Sequence, residues 1–352
     1  MEYSYPLLRK VFNYYHDKQV DISGLKLFSC QHLLAPQYEM YKLLVEFGFD
    51  PKNITALGKV YSSNKGIIAD LQSLGIKVIQ PEFDGLSFDE EHRLSCIKII
   101  KEISDKDKNI ILDDGGYLIY EGKDKNILFG VEQTSSGFQK LKDMNLSFPV
   151  LNVARSNTKL VQESLVIGKI VLQRLKEYLS DLGIASPKVL IVGLGPIGNS
   201  LLKILTKEGI NVSGFDIDMN KESLLSYLRV EKPDITIGAT GAALFDGADL
   251  DQLDRVHLYH FISVSSSDRE FPVASFRKDN LIHNNIKYKN FVFVNNGFPI
   301  VFKGNKYECT PQEIEKTIAL LMGSVMHGVV RGVDNLSGII EIPEVLEELI
   351  NS

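Results

Sequence analysis

The 352-residue chain contains no tryptophan and only three cysteines, Cys30, Cys96 and Cys309, odd in number and far apart. Without CxxC spacing they form neither a disulfide framework nor a zinc knuckle, which fits a reducing compartment and places the protein in the cytoplasm. No apolar run approaches the ~20 residues a membrane-spanning helix needs. The opening residues MEYSYPLLRKVFNYYHDK mix charges without an apolar stretch, so no signal peptide is expected. Charge of one sign is also scarce. The net charge is −6, with acids and bases interspersed and no basic stripe, which argues against nucleic acid as a partner. No His, Cys, Asp or Glu cluster has metal-ligand spacing, no GxSxG nucleophile signature occurs, and no repeat or low-complexity segment is found.

What is present is an ordinary globular composition, 44% apolar and 24% charged. The length suits two domains. LKLFSC (25–30) is a short apolar run. In APQYEMYKLLVEFGF (35–49), Met40, Leu43, Leu44 and Phe47 recur at helical spacing until Gly48 stops them. GKVYSS (58–63) then takes a strand position, followed by a helical GIIADLQSLG, the strand KVIQ, a helical DEEHRLSCIKIIKEI and the strand NIILDD. The charged KEISDKDKN reads as a solvated helix end and loop. A long helix is expected over 158–182, stopped by Gly183 and Pro187, and a second βαβ series opens with KVLIV. PQEIEKTIALLMGSVMHGVV returns to helix and is expected to pack on the first domain. The expected architecture is α/β. Two Rossmann-like, doubly wound domains with mainly parallel sheets enclose a cleft, one formed by residues 1–157 plus 306–352 and the other by 158–305.

KVLIV runs directly into Gly193-Leu194-Gly195-Pro196-Ile197-Gly198 and a helix. This is the context in which GxGxxG binds a dinucleotide. The first glycine makes the tight turn, the second admits the pyrophosphate at the helix N-terminus, and the third lets helix pack on strand. Asp216 ends the next strand about 20 residues on, where a carboxylate accepts from ribose hydroxyls and repels a 2′-phosphate. That pattern predicts NAD rather than NADP; the bland alternative is a glycine-rich turn with no ligand. Thr240 and Gly241 end a later strand, at the sheet edge where such ligands lie. Asn295, before Asn296 and Gly297, is a candidate for the nicotinamide amide, although Asn-Asn-Gly equally serves as a plain turn.

In NVARSNTKLVQES (152–164), a strand-like run gives way to a helix whose first turns carry Lys159 and Glu163 four residues apart. On a helix surface such a pair adds only a few tenths of a kcal/mol. At the C-terminal end of a strand it lies where α/β clefts open, and a desolvated lysine there can act as a base. Asp113 and Asp114 end NIILDD. Side chains alternate along a strand, so only one of them faces a given side. His32 follows the first strand. His257 and His260 sit in the apolar VHLYHFI and read as core or edge residues.

Taken together, ILDDGG (111–116), GVEQTSSG (130–137), NVARSNTK (152–159), VGLGPIG (192–198), FDID (215–218), ATG (239–241) and ISVSSSDREF (262–271) resemble S-adenosylhomocysteine hydrolase in order and spacing. The resemblance covers residues 25–300. It implies a tightly held NAD that oxidises a ribose 3′-hydroxyl, after which a 5′ thiol is eliminated, water adds and the ketone is reduced back. It gives Lys159 the 3′-hydroxyl proton, makes Asp114 the catalytic aspartate and assigns His32 to the elimination step. Glu163 falls where the family has an aspartate on the ribose hydroxyls. Thr134, Ser135 and Ser136 match the threonine cluster at the nicotinamide ribose. Departures accompany these matches. Gln133 replaces a sugar-gripping glutamate, Ala154 and Ser164 replace asparagines, and Ser266 replaces the second active-site histidine. Phe298 replaces an adenine-holding histidine, while Leu34 and Pro36 replace residues that read the base edge. The ending EIPEVLEELINS lacks the family's lysine- and tyrosine-bearing tail, which in that family reaches a neighbouring subunit.

The hydride-transfer half is therefore retained, the elimination half reduced and adenine recognition rebuilt. The leading expectation is an NAD-dependent enzyme acting on a small, nucleoside-like substrate, as a homo-oligomer, for instance a dimer, without membrane or nucleic acid. A plain NAD-dependent dehydrogenase or epimerase of a sugar-like alcohol is the second reading, and a non-catalytic NAD-sensing module the third.

Overall fold

The computed structural model describes residues 4–352 apart from 19, 86, 217–219, 278–280 and 334. Ile217 and Asp218 of the FDID stretch thus lie outside the described residues. Thirteen strands occur among those described. They are β1 (Leu25–Cys30), β2 (Ile54–Leu57), β3 (Lys77–Ile79), β4 (Lys108–Asp113), β5 (Ile127–Glu132), β6 (Pro149–Asn152), β7 (Lys188–Val192), β8 (Asn211–Phe215), β9 (Ile235–Gly238), β10 (Tyr259–Ser263), β11 (Ile286–Tyr288), β12 (Phe291–Phe293) and β13 (Gly338–Glu341). The chain divides into two compact units. Unit 1 comprises Met1–Glu82, His92–Glu163 and Gly304–Ser352, and unit 2 comprises Phe83–Glu91 and Ser164–Lys303.

Unit 1 holds a seven-stranded sheet in the order β13-β6-β5-β4-β1-β2-β3, parallel throughout. Its central strands β1, β4 and β5 are buried along almost their whole length and mainly apolar, as strands covered on both faces are. Leu27, Ile110, Leu112, Phe129 and Val131 pack with helices Pro6–His16, Ala35–Phe47 and Pro311–Arg331. Phe28, Cys30, Ile111 and Val150 fill the opposite side with Cys96, Ile99 and Ile119. The chain leaves β1 toward β2 and later returns to β4 on its other side, so the topological switch lies between β1 and β4, where a ligand crevice is expected. Unit 2 has the order β11-β12-β10-β9-β7-β8, parallel except for the antiparallel β11 at its edge. Its switch lies between β7 and β9.

The long helix runs Asn157–Leu182, one residue from expectation. Helix Pro311–Arg331 joins unit 1 and starts where the Glu313 carboxylate accepts from both the N–H and the hydroxyl of Thr310. One expectation needs correcting, and two elements come in addition. GKVYSS is not a strand, because the preceding Ile54–Leu57 pairs with β1 and the chain turns at once into a short 3₁₀ segment, Val60–Ser62. The opening residues form an unforeseen helix, Pro6–His16, whose Leu7 and Leu8 N–H groups donate to Glu315 at 2.7 and 3.0 Å. Near the end, β13 adds to β6 and helix Glu344–Asn351 follows. No described helix is long and apolar enough to cross a membrane.

Helix Ala35–Phe47 is seated on the sheet by a buried hydrogen bond, Tyr41 hydroxyl to Ser29 Oγ at 2.6 Å. Tyr41→Phe is expected to cost about 1 kcal/mol. Because the partners share that bond, Tyr41→Phe combined with Ser29→Ala should cost less than the sum of the single changes in urea unfolding.

Candidate functional site

In unit 1 the chemistry gathers at the C-terminal ends of β1, β2, β4 and β5. Asp114, just beyond β4 and 1% exposed, accepts from Lys59 Nζ on one oxygen, and its other oxygen lies 3.2 Å from His32 Nε2. The other ring nitrogen of His32, Nδ1, meets Ser62 Oγ. A carboxylate only accepts, so a neutral His32 carries its proton on Nε2 and receives the Ser62 hydroxyl proton at Nδ1. Burial favours the neutral acid of Asp114, but the Lys59 charge and then His32 outweigh it and hold the carboxyl far below the usual range. Burial likewise disfavours the Lys59 ammonium, yet Asp114 above all keeps it well above its ordinary value. Beneath them His92 is driven down to about 3 by burial and then by Lys59, so its ring is neutral, and Nε2 lies 3.2 Å from Cys30 Sγ.

Asp113 points to the other face of the sheet. It accepts the Ile119 N–H at 2.9 Å and stands in register with Glu132 of β5. Glu132 Oε1 accepts from the Thr134 N–H and hydroxyl at 2.6 and 2.7 Å and from the Gly115 N–H at 3.2 Å, fixing both the DDGG turn and the QTSS turn. Thr134 Oγ1 in turn accepts the Gly137 N–H, Ser136 Oγ lies 3.1 Å from it, and Ser135 is exposed at the helix start. Lys159 and Glu163 are not a solvated surface pair. Lys159 is 9% exposed, donates to the Gln133 carbonyl at 2.6 Å and pairs with Glu163 at 2.9 Å.

In unit 2, Gly193 adopts φ +96° and its N–H bonds the Phe215 carbonyl. A Cβ on Gly198 would overlap the Gly193 carbonyl oxygen, whereas one on Gly195 would meet nothing within 4 Å. The turn is thus closed underneath and open above the N-terminus of helix Pro196–Lys207, where Ile197 is the second residue. Asp216 directly follows β8, with Oδ1 3.4 Å from the Leu194 N–H. Thr240 and Gly241 are held by Glu270. Fully buried, it accepts both their N–H groups and the Thr240 hydroxyl on Oε1 and the Ser263 hydroxyl on Oε2.

Asn295 is engaged within its own turn. It sits at φ +54°, and its amide nitrogen donates to the Pro299 and Phe302 carbonyls at 3.0 Å while its oxygen lies 3.0 Å from His283 Nδ1. The side chain thus ties together its own turn, the plain-turn alternative for Asn-Asn-Gly. Phe298 is fully buried against Phe83 and Phe88, so an aromatic cluster stands at that position. His260 is buried with Nδ1 2.6 Å from the Tyr178 hydroxyl, and His257 Nε2 lies 3.1 Å from the Pro233 carbonyl. Among the described residues no group of three His, Cys, Asp or Glu side chains could hold a metal ion. Lys59, Glu132 and Glu270 had escaped the sequence reading. Each meets its partners only through the fold, and only the acid ending VE in step with LDD offered a hint.

Burial, reinforced for Glu132 by the neighbouring Asp113, raises the carboxyls of Asp113 and Glu132 to about 6 and about 8. Folded protein then binds these protons more tightly than unfolded chain. The stability they permit is full below the ordinary values of 3.8 and 4.5 and declines as pH rises through about 6 and about 8. Glu132→Gln keeps an acceptor for Thr134 and Gly115 but carries no charge. Urea unfolding from about pH 5 to about pH 9 should show a shallower decline in the variant; an unchanged slope would contradict the assignment.

No family model matches the chain. It is 28% identical to an uncharacterised protein of Mycobacterium tuberculosis over 362 aligned positions, which span 94% of this chain and 70% of that protein. It is 25% identical over 209 residues to the adenosylhomocysteinase of Acinetobacter baylyi, spanning 56% of this chain and 44% of that enzyme. Among solved structures, it is similar to an NADPH-dependent glyoxylate/hydroxypyruvate reductase of Sinorhizobium meliloti at a TM-score of 0.42 and 9% identity, covering 86% of this chain and 93% of that one.

Proposed function

We propose that the protein is an NAD-dependent enzyme that oxidises a secondary alcohol on a small ribose- or sugar-like substrate. The dinucleotide-binding candidates belong to unit 2 and the candidate proton-handling groups to unit 1. The observation that carries this reading is Lys159, a buried amine fixed by the Gln133 carbonyl and Glu163 on the same sheet edge as the Lys59–Asp114–His32–Ser62 set.

The residues of unit 2 fit NAD. The open backbone at Gly195 and the first N–H groups of helix Pro196–Lys207 suit a pyrophosphate, and the closed turn of Gly193 and Gly198 leaves room for nothing bulkier than glycine. Asp216 suits the adenosine ribose hydroxyls, and Thr240, immobilised by Glu270, borders the same edge. When bound, NAD supplies a hydride acceptor. Lys159 would accept the proton of the substrate hydroxyl, and Glu163, 2.9 Å away, orients the lysine and would steady the charge it gains. Ser135 and Ser136, at the N-terminus of their helix in unit 1, remain candidates for a ribose contact.

His32 would act in any second proton transfer through Ser62, whose hydroxyl donates to Nδ1 and can relay the proton. Its Nε2 side is fixed by Asp114, which Lys59 keeps ionised, so Asp114 orients and does not itself exchange a proton. This favours His32 over Asp114 as the acid/base. With serine at position 266, elimination of a 5′ thioether is the less favoured outcome and net oxidation or epimerisation the more favoured.

Denaturing the purified protein should release NAD, and Lys159→Met should retain it. With adenosine, S-adenosylhomocysteine and simple sugars as trial substrates, reduced-nicotinamide absorbance should appear for the wild type. In the Lys159→Met variant it should fall by on the order of a hundredfold or more. Release of thiol from S-adenosylhomocysteine alone would restore the hydrolase reading. Retained turnover in the variant would remove Lys159 from the mechanism.

A further inference from the structure

Three glutamine side chains of unit 1 are buried without serving the fold. Gln31, 0% exposed, has neither its amide oxygen nor its amide nitrogen hydrogen-bonded; Gln37, 4% exposed, and Gln133, 6% exposed, each leave Oε1 unpartnered. Buried amides without partners are rare in a native protein, since each costs the desolvation it does not recover. Three together at a sheet edge mark a place where something else supplies the partners.

Their positions follow from the register. Ser29 of β1 lies beside Leu112 of β4, and Leu112 beside Val131 of β5. Two residues further on, on the same face, this alignment brings Gln31, Asp114 and Gln133 into one row. The ladder continues there, with the Gln31 N–H bonded to the Leu57 carbonyl and the Gln133 N–H to the Asp113 carbonyl. Gln37 arrives from above. It stands one helical turn before Tyr41, whose hydroxyl bonds Ser29, and the helix must run back against β1 because β2 pairs with β1 in parallel. One turn back along the helix and two residues forward along the strand lead to the same level. Gln37 therefore lies over Gln31, at the switch point between β1 and β4.

We infer that this row is a binding site for a neutral, polyhydroxylated ring, a sugar or cyclitol, and that Gln31 and Gln37 determine that specificity; the inference rests on the alcohol oxidation proposed above and names its substrate class. A hydroxyl both donates and accepts, so it satisfies either end of an amide. Neighbouring strands are about 4.8 Å apart, so the outer amides of the row are about two spacings apart, a width for a ring bearing several hydroxyls and too wide for one. A carboxylate or phosphate fits badly. It would bring acceptors to three orphaned carbonyl oxygens and to Asp114, and the Lys59 ammonium beside the row already faces Asp114. An apolar thioether arm would leave the amides unpaired.

The test is calorimetric titration of the full-length protein with myo-inositol and D-ribose as neutral probes, and with D-glycerate and inorganic phosphate as anionic ones. A neutral ring should bind and the anions should not. Gln31→Leu and Gln37→Leu should each weaken that binding by about tenfold or more while leaving the melting temperature of the unliganded protein unchanged or raised, since each removes an unpaired buried amide. Tighter binding of an anion, no binding of either ring, or variants that bind as well as the wild type would overturn the inference. So would a drop in unliganded melting temperature, which would make the amides structural. The titration needs no hydride transfer. Ring binding without recoverable NAD would sink the oxidation reading and leave the site standing; NAD reduction by an alcohol that is indifferent to both glutamine changes would do the reverse.

Discussion

The ion pair between Lys59 and Asp114 is the constraint on which the polar sheet edge of unit 1 depends. Both side chains are out of water, and neither charge would be tolerated there alone, because an isolated buried ion is destabilised by several kcal/mol or discharged. Paired, they stay ionised. A fixed carboxylate then decides the state of His32, through Nε2, and a fixed His32 decides the hydroxyl orientation of Ser62. One electrostatic contact between residues 55 apart in sequence thus sets a chain of three side-chain orientations.

A second pair of acids on the opposite face does the reverse. Burial raises the carboxyls of Asp113 and Glu132, Asp113 adding to the rise of Glu132, and their value lies in the N–H groups they receive. Glu132 draws two turns together, and Glu270 plays the corresponding part in unit 2 by gathering three donors at Thr240 and Gly241. In both units a buried carboxylate below the sheet edge shapes the loops above it. The candidate ligand-facing groups are thereby separated from the groups that hold the scaffold.

The sequence announces the layered architecture because it depends on local periodicity. The βαβ rhythm, the helix at 157–182 and the GxGxxG turn follow from residues a few positions apart. Asp114 and Lys159 are legible through their places at strand and helix ends. Lys59, Glu132, Glu270 and the three glutamines are not, since their significance comes from partners on other strands or from the absence of partners. Asn295 shows the limit of turn chemistry. The Asn-Asn-Gly signal is correct for a left-handed turn, and nothing local reveals that the amide is occupied by carbonyls of the following loop. The first helix and β13 are short and gain their stability from helix Pro311–Arg331 and from β6, so no local pattern reveals them.

Unit 1 is interrupted twice by unit 2, and this bears on how the chain is made. During synthesis Ser164–Lys303 is complete before Gly304–Ser352 emerges. Until then the first helix lacks Glu315, the acceptor for its Leu7 and Leu8 N–H groups, and β6 is an open edge awaiting β13. The sheet that carries Lys159 therefore waits on a segment made about three hundred residues after the helix it caps. Over that interval its apolar face and unpaired edge are exposed to other nascent chains, and a parallel sheet closed by such distant contacts is the kind that forms slowly. In the ribosome's order of events the inserted unit matures first and the enclosing unit last.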